Sequence, residues 1–240
     1  NIFSFRNIDL ARKVKYKPRK DNEKRRTRQE SIIRIGRTYN DFNDYLSIHP
    51  EASIVEMDTV EGIKGGKVFL TLLFRNYNFM LIFIMDSKTM DEVEKVFIRI
   101  KKIIGIDTFK RLFEVILTDN GSEFFNPISI EVDYETGEVL SHVFYCDPYC
   151  SYQKGSIEKN HEYIRYIIPK YSSFNNLTQE DCDLIASHIN STSRTILNNK
   201  TPYEAVQKLI SEDIINKLNI KLISPEHVNL SLSLLKKNNK

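Results

Sequence analysis

The chain has 240 residues, 41% hydrophobic and 11% aromatic, enough apolar material for a packed domain and too much for global disorder. No window reaches the roughly 18 apolar residues of a membrane span; the nearest, "FLTLLFRNYNFMLIFIM", is broken by Arg75, Asn76 and Asn78. A net charge of +3 names no partner class by itself, and three cysteines are an odd count that argues against a disulfide framework.

In chain order, residues 1–45 are polar and basic and read as a linker or arm with at most one helix. Within them, "ARKVKYKPRKDNEKRRTR" (11–28) carries ten Lys and Arg, Arg25, Arg26 and Arg28 among them, against Asp21 and Glu23. Such a run is either a solubilising arm or one that meets nucleic-acid phosphate. The opening residues show no secretion signal, so a cytoplasmic location is expected. The missing initiator Met leads us to expect a fragment with upstream sequence absent.

A compact core is expected over 46–211, with a Lys/Asn-rich C-terminal tail at 212–240. "SIVEMDTVEG" alternates with the period of a strand. "GKVFLTLLF" and "YNFMLIFIM", separated by "RNYN", form a hairpin whose continuous apolar character implies burial on both faces. "TMDEVEKVFIRIKKII" places Met90, Val93, Val96, Phe97, Ile100, Ile103 and Ile104 at helical spacing, and Gly105 ends it. "DTFKRLF" and the strand "VILT" follow. Residues 131–146 predict a second hairpin turning at 135–137. "SIEKNHEYIRYIIP" predicts a helix capped by Ser156 and stopped by Pro169. "TQEDCDLIASHINSTSRTIL" opens with a capping box at Thr178, and "TPYEAVQKLI" has Pro202 in its first turn. Three strands, a helix crossover, another strand and further helices make a mixed α/β sheet flanked by helices.

Three carboxylates interrupt this pattern: Asp58 in the first strand, Asp119 at the end of "VILT", and Glu158 in the first turn of a helix. A charge at the mouth of a buried strand costs free energy unless something pairs with it. Two strands and a helix can bring the three together, and what they would share is a pair of divalent cations. Mg²⁺ favours carboxylate and water oxygens, and two such ions can drive an in-line phosphoryl displacement. Taken singly, each has a plainer reading. Asp119 before Asn120 and Gly121 is a turn former, Glu158 favours the helix dipole, and Asp58 is a solvent-facing strand residue. His142, Cys146 and Cys150 lack the second ligand pair of a zinc site and read as free thiols beside a histidine.

"VEMDTVEG", "LTDNGSEF" and "FYCDPYCSYQKGSIEKNHEYIRYIIPK", with "GRTYNDF" and "LNNKTPYEAV", together resemble the catalytic core of the DDE transposases of insertion-sequence family thirty. That core in turn resembles the retroviral integrase core. The resemblance spans roughly residues 32–210 and implies a ribonuclease-H-like fold. It implies Asp58, Asp119 and Glu158 as catalytic residues and ligands of two Mg²⁺ ions, with Mn²⁺ as a substitute. It further implies hydrolysis at a transposon end followed by attack of the freed 3′-hydroxyl on target DNA. Double-stranded DNA is the implied partner, gripped by a homo-oligomer. Lys154, Lys159 and Arg165 are expected to hold DNA phosphate, with Asn120, Gly121 and His161 in supporting roles and Glu123 structural. The second and third carboxylates lie 39 residues apart (158 minus 119), a wide spacing that the 131–146 hairpin would explain. A catalytically silent DNA-binding relic and a ribonuclease-H-type nuclease are the alternatives.

Overall fold

A computed structural model of the chain describes residues 32–235. Arg25, Arg26, Arg28 and the rest of the 11–28 run lie outside the described residues. Five strands form one sheet: β1 (Ile54–Glu61), β2 (Val68–Phe74), β3 (Phe79–Met85), β4 (Val115–Thr118) and β5 (His142–Tyr145), in the order β3-β2-β1-β4-β5. β1, β2 and β3 are antiparallel neighbours, whereas β4 pairs parallel with β1 and β5 parallel with β4. This is the mixed sheet flanked by helices that the strand and helix pattern implies.

Every residue of β2 is buried, as its unbroken apolar run requires of a central strand covered on both faces. The β2–β3 connection is a single 3-10 turn, Arg75–Tyr77, closed by Asn78 in the left-handed region at φ 50°. α1 (Tyr39–Ile48) is held at its start by a Thr38–Asp41 capping box and buries Phe42 over Val115, Leu117 and Phe144. α2 (Met90–Ile104) packs Val93, Val96, Phe97, Ile100 and Ile104 into the main core and ends at Gly105, whose φ of 81° only glycine adopts freely. α3 (Ile106–Leu112) leads into β4. Each large apolar side chain buried this way contributes about 1.5–3 kcal/mol.

Three expectations need correction. The 131–146 segment is not a hairpin: α4 (Pro127–Glu131) precedes a turn at 133–137, and Val132 and Val139 form a single isolated bridge. Its second half is instead β5, bound to β4. Parallel strands require a crossover, and the extra residues between Asp119 and Glu158 build that crossover. Ser156 is not a cap. The 3-10 turn Ser151–Lys154 runs directly into α5 (Gly155–Ile167), so the helix starts earlier and Lys154 takes the cap position. Finally, the division at 45 and 211 falls inside packed structure. Phe42 is fully buried, and beyond α6 (Gln179–Asn190) and α7 (Pro202–Val206), α8 (Glu212–Lys217) brings Ile215 into the main core together with Leu218 and Ile220.

Both outer edges of the sheet are closed. Along β3, the Asn190 side-chain amide donates to the Met80 carbonyl and accepts from the Met80 N–H, each at 2.8 Å. Gln179 does the same for the Ile82 carbonyl (2.8 Å) and the Ile84 N–H (3.2 Å). On β5, the Tyr145 N–H donates to the Arg37 carbonyl and the Val143 N–H to Glu131 Oε1.

Candidate active site

Strand alternation puts Glu56 and Asp58 on the same face of β1, the face on which α5 packs. Glu56 is 1% exposed, and one oxygen accepts from Arg75 Nε and the other from the Ile157 N–H, both at 2.7 Å. Arg75 also donates to the Gln153 carbonyl at 3.0 Å. A buried carboxylate therefore fixes the first turn of α5, and the 3-10 turn before it, against the strand that carries Asp58. Sequence reasoning missed Glu56 and Arg75. The available signal was the period-two spacing of Glu56 and Asp58, interleaved with the apolar Val55 and Met57.

The pinned turn delivers Lys154. Its Nζ lies 3.1 Å from Asp58 Oδ2 and 3.1 Å from Asp119 Oδ2, buried, and aligned for a true hydrogen bond with neither. Burial alone would lower the lysine pKa, but the two carboxylates outweigh it and hold the ammonium above its ordinary value. Burial raises the Asp58 pKa, Lys154 opposes that shift, and the Asp119 charge adds to it. The sequence expectation for Lys154 is a phosphate contact; in this structure its ammonium faces two carboxylates.

Asp119 answers both of its readings. Its Oδ1 accepts from the Gly121 N–H at 3.0 Å, as a turn former does, while Oδ2 faces Lys154. Asn120 Nδ2 donates to the Cys146 carbonyl at 2.8 Å, tying the ends of β4 and β5 together. Asp58 Oδ1 accepts from the Thr59 N–H at 2.8 Å. Glu158 is exposed one helical turn beyond Lys154, at the i+4 position that shares its side of the helix.

His161 is buried behind this pair. Thr71 Oγ1 donates to the Asp58 carbonyl at 3.0 Å and so is left to accept from His161 Nε2 at 2.8 Å, which assigns the imidazole proton to Nε2. Burial, with the Lys154 and Arg165 charges, pushes its pKa down to about 3, so it stands neutral 3.9 Å from Asp58. Through Thr71 the imidazole is thus linked to the backbone of Asp58. Arg165 donates to the Glu61 carbonyl at 2.9 Å and anchors α5 to the end of β1, whereas Lys159 is exposed. Cys146, Cys150 and Cys182 are free thiols.

Two carboxylates from adjacent parallel strands thus converge on one cationic atom, with oxygen-only donors of the kind a hard divalent ion prefers. Among the described residues, no three His, Cys, Asp or Glu side chains stand close enough to hold a metal together. Asp58 and Asp119 fit such an ion; Glu158 is exposed on α5 and is not gathered with them.

No family model matches the chain. Over 161 residues (67% of its length) it is 26% identical to the transposase of insertion sequence element IS4351 from Bacteroides fragilis, covering 46% of that protein. Over 153 residues (64% of its length) it is 28% identical to the InsI transposase of an IS30 element of Escherichia coli, covering 37%. The chain is related in sequence to the IS30-type transposases. It is also 30% identical, over 161 residues and 66% of its length, to a putative integrase of a Spiroplasma virus, covering 48%. The chain therefore spans less than half the length of each of these transposase and integrase relatives.

Proposed function

We propose that this chain is the catalytic core of a transposase that hydrolyses one phosphodiester at the end of a mobile element and then joins the freed 3′-hydroxyl to target DNA. The observation that carries the reading is the convergence of Asp58 and Asp119 on a single cationic atom, 3.1 Å from each, at the ends of neighbouring strands. The relatives, named as transposases and an integrase, support it. Asp58 and Asp119 would hold divalent cations, Mg²⁺ with Mn²⁺ as substitute, and Glu158 is the third ligand in this reading. Bound, such ions activate an attacking oxygen and stabilise the leaving one. Lys154 keeps the two carboxylates together by offsetting their mutual repulsion. Thr59 and Gly121 orient the carboxylates through their N–H groups. The exposed Lys159 and the basic run at 11–28 supply phosphate contacts along double-stranded DNA, which a homo-oligomer of the chain would bridge.

The test is a strand-cleavage and strand-transfer assay with Mg²⁺ on a duplex carrying the element end that flanks the gene. Wild type should yield nicked and joined products, and Asp58→Asn and Asp119→Asn should each lower both by about 10² or more, the usual scale for removing a group that stabilises transition-state charge. Full strand transfer by Asp119→Asn would overturn the proposal. Nicking without joining would favour a ribonuclease-H-type nuclease. Neither product, together with no Mn²⁺ binding by calorimetry, would favour a silent DNA-binding relic.

A further inference from the structure

Glu123 is 3% exposed, an unusual position for a carboxylate two residues past a Gly in a surface turn. Its Oε1 accepts from Thr59 Oγ1 at 2.9 Å and lies 3.3 Å from Lys88 Nζ, which also pairs with Glu61 at 2.7 Å. Its Oε2 is buried without a hydrogen-bond partner among the described residues. Thr59 points to the opposite face of β1 from Asp58, so Glu123 stands behind the carboxylate pair and not within it.

The same carboxylate fills the space over Gly121. A Cβ at that position would fall 2.6 Å from Glu123 Oε2 and 2.7 Å from its Cδ. Gly121 has an ordinary φ of −65°, so a side chain there would displace the Glu123 carboxylate and not strain the backbone.

Besides Lys88, Glu123 therefore touches Thr59 and Gly121, and each of these two orients one of the paired carboxylates. Thr59 donates its N–H to Asp58 Oδ1 at 2.8 Å, and Gly121 donates its N–H to Asp119 Oδ1 at 3.0 Å. We propose that Glu123 is a positioning residue that locks the Thr59 and Gly121 amides, and through them Asp58 and Asp119, into the geometry that receives a divalent cation. The inference rests on the functional reading above for the identity of what is received, but the locking itself is a property of the apo chain.

The experiment uses the full chain, ¹⁵N-labelled, with Mn²⁺ as the probe. Glu123→Ala should move the Thr59 and Gly121 amide resonances upfield together, as both hydrogen bonds loosen, and should weaken Mn²⁺ binding about tenfold, which is about 1.4 kcal/mol. Glu123→Gln keeps the volume over Gly121 and an acceptor for Thr59, and should stay within about threefold of wild type. Thr59→Val deletes only the hydroxyl donor while retaining shape, and decides the matter if Glu123→Ala fails to fold by circular dichroism; it should shift the same two amides. Wild-type amide positions and Mn²⁺ affinity in folded Glu123→Ala, or in Thr59→Val where that variant decides, would overturn the inference. Asp119→Asn separates the two claims: unchanged Mn²⁺ affinity in that variant would defeat the functional reading, while the apo amide shifts would still judge Glu123.

Discussion

Replacing Glu56 by alanine would remove the carboxylate that holds α5 to the sheet. In the folded chain it accepts from Arg75 Nε and from the Ile157 N–H, each at 2.7 Å, at 1% exposure. Truncating one partner of a buried ion pair costs about 3–5 kcal/mol, because the other charge is left without compensation. Arg75 is partly exposed and keeps the Gln153 carbonyl, which lowers its share of that cost. The Ile157 N–H, however, is left buried and unpaired, at about 1–3 kcal/mol. A loss near 3 kcal/mol follows, and for a chain of this size about 2–4 °C per kcal/mol places the midpoint roughly 6–12 °C lower. Urea unfolding followed by circular dichroism should show this for Glu56→Ala. Arg75→Met should cost less, and the double variant should cost less than the sum by at least about 1.5 kcal/mol. Strict additivity of the two substitutions would refute the claim that they act as one unit.

Two further outcomes are expected. His161, with a folded pKa near 3 against 6.5 unfolded, stays neutral in the fold while the unfolded chain takes up a proton. Its stabilising effect is complete above about pH 6.5 and drains away as pH falls toward 3, so between pH 7 and pH 5 wild type should lose about 2 kcal/mol more than His161→Gln in urea titrations; equal losses would contradict the burial. Asn190→Ala strands the Met80 N–H and carbonyl, so hydrogen exchange at the Met80 amide should quicken and stability fall by about 2–3 kcal/mol, whereas unchanged exchange would show the edge is closed by something else.

The elements legible in the sequence are those whose signal is local. β2 and β3 declare themselves by near-continuous apolar runs, α2 by its spacing, α6 by a capping box at Thr178 and α7 by Pro202 in its first turn. The misread pieces are decided at long range. β5 looked like a hairpin arm because its partner β4 is more than 20 residues away and parallel, and Ser156 looked like a cap because nothing nearby announces that Glu56, 101 residues earlier, seizes the Ile157 N–H. Within the candidate site, Asp58 and Asp119 were legible as misplaced charges. Lys154 was legible as a cation but not as their partner, since the ion pairs span 96 and 35 residues (154 minus 58 and 154 minus 119).

The closure of the sheet edges also has a timetable. On β5 the blocking groups, Arg37 and Glu131, precede the strand in the chain, so that edge can be covered as soon as it forms. On β3 the order is reversed: Met80 waits for Asn190, 110 residues later. At about 5–20 residues per second of synthesis, that wait lasts roughly 5–20 s, with a wholly apolar strand presenting bare backbone to any neighbouring nascent chain. The hazard for this protein therefore lies in its birth more than in its folded state, and a truncation upstream of α6 should emerge with all five strands but a bare β3 edge, for which the ribosome-bound chaperones must stand in.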